Sequence, residues 1–285
     1  MIKNILLTSD FSDTSKLVFP VAKYLQEKFG AKIHLAYVIP TMPYVPTGSG
    51  TLVTTVQIQE MQDEALKKNK ESRLEALNEM ISENFNGNAK AVCLYGDLDH
   101  ELEKYVIENK IDFCIMATEG ENSIDDKLFG TNTLHAIRNL SCPVFTLPKN
   151  HSEAKFQKML LAIDLVEENF SFLLYAKEFA QAFDAELELV LVEPENFLYV
   201  DEDKSQLHRI IEELNYPKVK SKIKISDDVI EAVGSEIKDT QADIIIFKTH
   251  TSSFIDRLFH RSLTLQALNE YQKPMLTFNN HFNID

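Results

Sequence analysis

The chain has 285 residues and is acidic, with 44 Asp and Glu residues against 29 Lys and Arg residues and a formal net charge of −15. This charge excludes nucleic acid and anionic membrane as main partners, because both require basic protein surface. An apolar share of 44% and the lack of any apolar run of about 18 residues predict a globular protein of one or two domains without a membrane span.

The predicted strands are short apolar runs. The first, Ile5–Thr8, begins almost at the N-terminus, so no secretory signal peptide is expected. Four more runs follow, at Ile33–Val38, Ala91–Leu94, Ile111–Met116 and Pro143–Leu147. Their apolar residues are continuous rather than alternating, which is typical of strands buried on both faces of a parallel sheet.

The segments between these runs have helical spacing. Leu17–Leu25 places its apolar residues on one face, and the long, charged Glu60–Phe85 has apolar residues at i, i+3 and i+4. The acidic run Asp97–Glu103 predicts the first turn of a further helix, since carboxylates there interact favourably with the helix dipole. Strands alternating with helices predict an α/β fold with an open, mostly parallel, doubly wound sheet.

One segment, Thr41–Thr55, departs from this alternation. It contains two Pro, two Gly and several hydroxyl side chains, which predict a loop between the second strand and the long helix. That loop would be either a lid over a ligand or a plain surface loop.

The metal-binding and redox-active residue types show no site pattern. Cys93, Cys114 and Cys142 lie in apolar surroundings without CxxC spacing, which predicts buried free thiols and a cytoplasmic location. The eight histidines show neither HExxH nor HxH spacing, so packed or solvated side chains are favoured over a zinc site.

The second half of the chain repeats the pattern of the first. An apolar run ending in Asp, an amphipathic segment and an apolar run ending in Pro occur at Lys3–Pro40 and again at Phe156–Pro194. This repeat unit of roughly half the chain predicts two tandem domains, at residues 1–149 and 155–280, each with a five-stranded sheet. We expect the domains to pair through their closing strands as an internal pseudo-dimer, which leaves a homodimer of chains optional.

The stretch after the fourth strand holds two of the chain's eight glycines, Gly120 and Gly130, and Thr131 follows the second. Ligands of open α/β sheets bind at the carboxyl ends of strands, where helix N-termini offer unpaired N–H groups to anions. Glycine there allows a phosphate to approach the backbone closely. On local sequence alone, ordinary turn glycines explain the pattern better than a phosphate site does. Neither of the standard nucleotide motifs, G-x-x-x-x-G-K-[ST] and G-x-G-x-x-G, is present.

The tandem plan and this spacing resemble the universal stress protein family. Its nucleotide-binding members carry G-x-x-G-x9-G-[ST] after the fourth strand, and this chain has Ala117, Gly120, Gly130 and Thr131 at those positions. The spacing is kept, and only the first glycine is replaced, by alanine. The stretches "TSDFSDTS" and "AYVIP" resemble the family's first strand-to-helix turn and the end of its second strand.

The resemblance implies that the first domain binds ATP, or ADP or AMP, with or without Mg²⁺. The implied binding residues are Thr8, Ser9, Asp10, Val38, Met116, Ala117, Gly120, Gly130 and Thr131. Asp10 would contact the nucleoside or a metal-associated phosphate, and the main chain of Val38 would hold adenine. Met116 and Ala117 would line the base and ribose, while the two glycines and Thr131 would hold the phosphates.

The second domain is expected to have lost this site. At the same spacing Lys248, Thr251 and Arg261 stand where the family has glycines, and His260 precedes Arg261. The alternative is that these basic side chains bind a different anion.

Three functions are compatible with the sequence. The first is a stress-response regulator or sensor that binds an adenine nucleotide, and the second is a slow ATPase using the same site. The third is an interaction scaffold without nucleotide. No catalytic residue is assigned, because neither a general base nor an arginine finger is visible, so weak hydrolysis is the most that is expected.

Overall fold

The computed structural model describes residues 2–41, 55–118, 131–149, 155–163, 165, 170–196, 200–248, 273–279 and 282. The strands are β1 (Asn4–Thr8), β2 (Lys32–Pro40), β3 (Ala89–Gly96), β4 (Phe113–Ala117), β5 (Val144–Leu147), β6 (Lys158–Ile163), β7 (Glu186–Glu193), β8 (Val219–Ile225), β9 (Ile244–Lys248) and β10 (Met275–Phe278). The helices are α1 (Asp13–Lys16), α2 (Phe19–Phe29), α3 (Thr55–Asn84), α4 (Leu98–Glu108), α5 (Thr131–Asn139), α6 (Phe170–Ala182), α7 (Val200–Leu214) and α8 (Val229–Thr240).

The ten strands form one sheet, in the order β3-β2-β1-β4-β5-β10-β9-β6-β7-β8. Neighbouring strands are parallel except β5 and β10, which are antiparallel with Leu276 opposite Phe145. The first half (β1–β5) and the second half (β6–β10) have the same strand order and are joined edge to edge. The predicted α/β fold with a mostly parallel, doubly wound sheet is confirmed, although the two predicted sheets are continuous. The predicted domain joint falls at residues 150–154, outside the described residues, so the domain boundaries stay a prediction.

Two apolar layers cover the faces of the sheet. One layer packs α2, α3, α6 and α7 against it, and the other packs α4, α5 and α8. Along β1, Ile5 and Leu7 face the first layer while Leu6 faces the second, and all three are fully buried. Burial on both faces is the reason that the strand sequences are continuously apolar.

The helices lie close to their predicted positions. Helix α3 covers most of the predicted Glu60–Phe85, and the predicted loop falls at residues 42–54, outside the described residues. Asp97 caps α4 by accepting a hydrogen bond from the His100 N–H at 3.2 Å, which confirms the acidic first turn. Tyr24 was predicted to belong to the apolar face of Leu17–Leu25, but this residue is 45% exposed. The buried face of α2 is therefore narrower than the sequence indicated.

Aromatic side chains join the two halves on the α2 side of the sheet. Phe156, just before β6, stacks on Phe183 with ring centroids 4.3 Å apart and lies 6.0 Å from Phe145 of β5. Phe179 of α6 stacks on Phe113 of β4 at 5.9 Å. We call these five residues the aromatic seam. Because its contacts cross between the halves, the halves share one core in addition to the β5–β10 pairing.

Strand β2 carries a buried histidine, His34, which is 4% exposed. Its Nδ1 shares a hydrogen bond of 2.7 Å with the hydroxyl of Tyr105 on α4, while its Nε2 has no partner among the described residues. Burial, reinforced by the charges of Lys32 and Lys90, lowers the pKa of His34 to about 4 from its ordinary 6.5. Burial raises the pKa of Tyr105 to about 12, so its hydroxyl stays protonated.

Acidification is expected to destabilise the protein through His34. Because its folded-state pKa lies below the unfolded-state value, the folded chain binds fewer protons between pH 4 and 6.5. The contribution of neutral His34 to the free energy of unfolding is complete above pH 6.5. As the pH falls to about 4, the free energy of unfolding decreases by roughly 3 kcal/mol. Urea unfolding of His34→Gln across this range measures the effect, since glutamine does not titrate but can still bond to Tyr105. An identical pH slope in the wild type and the variant would contradict this account.

The cysteines are free and buried, as predicted. Burial raises the pKa of the Cys114 thiol to about 12, which keeps it protonated and unreactive at neutral pH. In the part of the chain that the structure describes, every helix is too short or too polar to cross a lipid bilayer.

Candidate functional site

The order of the strands in the first half reverses direction at β1, and we call this position the switch point. The chain passes from β1 outward to β2 and β3, and then crosses back to β4 on the other side of β1. Leu7 of β1 lies in register with Leu35 of β2 and Ile115 of β4. The carboxyl ends of these strands therefore border one crevice, which is where ligands bind in open α/β sheets. The predicted site residues at these ends are Thr8, Ser9, Asp10, Val38, Met116 and Ala117.

A tight turn after β1 presents Asp10. Ser9 is buried, and its Oγ accepts a hydrogen bond from the Phe11 N–H at 3.1 Å and lies 3.1 Å from the Oγ of Ser15. Phe11 has φ +66°, a left-handed conformation that costs a residue with a side chain roughly 1–2 kcal/mol. Ser12 caps α1 by accepting a hydrogen bond from the Ser15 N–H at 3.1 Å. These bonds fix the backbone on which Asp10 stands.

The carboxylate of Asp10 is exposed and ionised at neutral pH. Partial burial by itself raises its pKa, but hydrogen bonds from Ser12 and Ser15 outweigh that effect and hold the pKa below its ordinary value of 3.8. The bond from the Ser12 N–H to Oδ1 measures 2.9 Å. An ionised carboxylate accepts hydrogen bonds from hydroxyl groups such as those of ribose, and it binds divalent cations.

The main chain of Val38 faces the crevice. The pairing of β1 with β2 ends where the Ser9 N–H donates to the Ala36 carbonyl at 2.9 Å. Residues two apart in a strand direct their N–H and C=O groups to the same side, so those of Val38 point past the end of β1. The Val38 side chain is buried in the second apolar layer. The Val38 main chain therefore offers one hydrogen-bond donor and one acceptor at the edge of the crevice.

The N-terminus of α5 is tied to the end of β4. The Thr133 hydroxyl, in the first turn of α5, donates to the Ala117 carbonyl at 3.3 Å. The Thr118 N–H donates to the Leu147 carbonyl of β5 at 2.9 Å, which extends the sheet by one residue. Helix α5 begins at Thr131, so the N–H groups of its first turn, which have no acceptor within the helix, lie at the same edge of the sheet. The Met116 side chain is buried in the second apolar layer.

Replacing Thr133 with valine is expected to loosen this tie. The isosteric change removes one partly buried hydrogen bond and leaves the Ala117 carbonyl without it, which costs about 1 kcal/mol of unfolding free energy. If α5 contributes to binding, the affinity for ATP falls severalfold as well. Thr277→Val is the matched control, because it removes a buried 3.1 Å bond to the Val144 carbonyl far from the crevice. Urea unfolding and calorimetric titration of both variants test this, and equal affinity losses would contradict the role assigned to Thr133.

Helix α3 also contacts the turn. The Arg73 guanidinium lies 5.0 Å from the centre of the Phe11 ring and 5.2 Å from that of Tyr37, and the two rings are 5.0 Å apart. Cation–π contacts of this kind stabilise by about 0.5–1 kcal/mol at exposed positions. Arg73 therefore braces the strained residue that follows Asp10.

Several predicted positions lie outside the described residues. They are Gly120, Gly130 and the side chain of Thr131 in the first half, and Thr251, His260 and Arg261 in the second. Lys248 ends β9, the equivalent of β4. The contrast between the two phosphate loops therefore stays a prediction. Within the described ranges, no group of three or more His, Cys, Asp or Glu side chains is placed to hold a metal ion.

Sequence reasoning missed four residues that shape the crevice, namely Phe11, Ser12, Ser15 and Thr133. The spacing Ser12-x-x-Ser15 is a helix N-cap pattern and could have identified the first serine. The positive φ of Phe11 accompanies a local bond to the Ser9 hydroxyl, and the Thr133 bond to Ala117 joins α5 to β4. Neither feature is reported by the spacing of apolar residues.

Comparison with known proteins identifies the family. A model of the universal stress protein family matches residues 1–148, just over half of the chain. The chain belongs to the universal stress protein family. A universal stress protein of Methanocaldococcus jannaschii is 27% identical over 154 residues, which cover 53% of this chain and 85% of that protein.

Solved structures show the same fold over nearly the whole length of this universal stress protein. One from Archaeoglobus fulgidus superposes with a TM-score of 0.64 at 18% identity, covering 97% of this chain and 96% of that one. The cytoplasmic domain of a prokaryotic cation chloride cotransporter superposes with a TM-score of 0.53 at 12% identity, covering 99% and 98%. At these identities the likeness establishes the fold alone.

Proposed function

We propose that this protein binds ATP, ADP or AMP in the first-half crevice and acts as a stress-response regulator whose shape or partner affinity depends on the nucleotide. The observation that carries the proposal is the crevice at the switch point. Its borders carry Asp10 after β1, Val38 in β2, and β4, to whose end the first turn of α5 is bonded. Family membership and the kept G-x-x-G-x9-G-[ST] spacing support it.

Each group suits one part of an adenine nucleotide. The N–H and C=O groups of Val38 match the donor and acceptor edge of adenine, and Asp10 matches the ribose hydroxyls. The N-terminal N–H groups of α5, with Gly130 and Thr131 at the start of the helix, suit the phosphates. If Mg²⁺ accompanies the nucleotide, the ionised Asp10 carboxylate is the side chain that would hold it, and its positive charge would offset the repulsion between carboxylate and phosphates.

Nucleotide content and equilibrium binding test the proposal. We expect chromatography of the supernatant from denatured protein to reveal bound adenine nucleotide. Calorimetry of nucleotide-free protein should show one ATP site per chain. No nucleotide in the preparation and no heat with millimolar ATP, ADP or AMP, with or without Mg²⁺, would refute nucleotide binding. Two equivalent sites would refute its restriction to the first half.

A scaffold that binds no nucleotide is the second candidate, favoured by Ala117 at the position of the family's first glycine. The variant Ala117→Gly separates the two functions. A nucleotide site gains affinity when the methyl group is removed, whereas a scaffold shows no binding in either form. Phosphate release over hours separates a pure binding protein from a slow ATPase.

A further inference from the structure

A groove runs between α3 and the N-terminal end of α2, outside the nucleotide crevice. Its volume is about 450 Å³. Its apolar surface comes from Phe11, Phe19, Pro20, Ala76 and Met80. Along α3 it extends from Ala76 to Asn84, a length of about 12 Å at the helical rise. A groove along a helix that has both apolar and polar lining residues fits an amphipathic second helix with apolar side chains spaced at i, i+3 and i+4.

The rim of this groove is acidic. Glu79 and Glu83 stand one turn apart on α3, and both side chains are exposed. Lys16 is the basic residue of the lining, and its Nζ is 3.1 Å from the carboxylate of Asp13. Among the described residues, Glu79 and Glu83 form no such ion pair, so they set the charge of the lining. A partner that complements the groove therefore has apolar side chains flanked by basic ones.

We propose that the groove between α2 and α3 is a docking site for a basic amphipathic helix of a partner protein. Apolar side chains of the partner would contact Phe11, Pro20 and Met80, and its Lys or Arg side chains would pair with Glu79 and Glu83. Phe11, the strained residue beside Asp10, is one of the residues that line the groove. A partner in the groove would thus contact the same turn that borders the nucleotide crevice.

A labelled model helix provides the test. The probe is a 14-residue peptide with Leu at i, i+3, i+4 and i+7 and Lys at its other positions, and the control peptide has Glu in place of each Lys. Fluorescence anisotropy is expected to show binding of the Lys peptide only. The double variant Glu79→Gln/Glu83→Gln should weaken binding about tenfold, because it removes both charges of the rim.

Matched variants decide whether the groove is the site. Glu64→Gln/Glu71→Gln removes two exposed charges from α3 outside the groove and should change the affinity less than twofold. Ala76→Phe fills the groove and should abolish binding without lowering the thermal midpoint. Equal weakening by the two Gln double variants, or unchanged binding by Ala76→Phe, would overturn the proposal. So would a dimer in sedimentation that the Lys peptide dissociates, because a second copy of the chain would then be the occupant.

Discussion

Replacing Gly130 with arginine is expected to weaken ATP binding at least ~100-fold, about 2.7 kcal/mol. The proposed phosphate site uses backbone N–H groups at the start of α5, and each charge-assisted bond contributes about 1.5–3 kcal/mol. A side chain at position 130 would occupy the space that a phosphate needs. The sequence of the second half already has arginine at this spacing, Arg261. Calorimetric titration with ATP and Mg²⁺ measures the loss.

The control is Asn139→Arg, which adds the same charge to an exposed position at the opposite end of α5. It should leave the ATP affinity unchanged within twofold, and both variants should keep the thermal midpoint of the wild type. Unchanged affinity in Gly130→Arg would show that the loop before α5 does not hold phosphate. A loss of ATP affinity in both variants would indicate an effect of the added charge. It would contradict the view that the side chain at position 130 occupies the space of a phosphate.

Truncating Phe156 to alanine is expected to cost about 3–5 kcal/mol of unfolding free energy and to uncouple the two halves. Phe156 is 5% exposed, and within the aromatic seam it packs on Phe183 of the second half and lies 6.0 Å from Phe145 of the first. The cavity left by its ring would lie at the contact between the halves. Calorimetry is expected to show one cooperative transition in the wild type and two in the variant.

Phe85→Ala provides the matched control. Phe85 is equally buried at 5% exposure, and its edge contact with Phe19, at 5.4 Å, lies within the first half. This variant should lose a similar free energy but keep a single transition. A split transition in both variants, or in neither, would contradict the view that the seam couples the halves.

The pattern of apolar residues in the sequence was sufficient to predict the fold. Continuous apolar runs predicted β1, β2, β4 and β5 because these strands are largely buried on both faces, whereas in the edge strand β3 only Val92 and Cys93 are buried. The repeat predicted a second half with the same strand order. Pairing of the closing strands was also predicted, but the extent of the shared core was not. The contacts of the aromatic seam link residues distant in the chain, for example Phe113 and Phe179.

Some features of the candidate site were predicted from the sequence, and others required the structure. The strand-end positions of Asp10 and Ala117 followed from the sequence, because each polar or small residue stands where an apolar run ends. The conformation of the turn did not follow from it. The positive φ of Phe11 occurs together with a bond to Ser9 and a cation–π contact with Arg73. The basic-helix groove also needed the fold, since it combines residues of α2 and α3.

By itself, the sequence determined the α/β class, the internal repeat and the strand ends that border the crevice, because local periodicity records which faces are buried. Only the tertiary structure decided that the two halves form one continuous sheet, with a shared aromatic core. It alone decided that Thr133 ties α5 to β4 and that His34 is buried beside Tyr105. These contacts depend on packing between elements that are far apart in the chain. Such packing leaves no periodic pattern of apolar residues in the sequence.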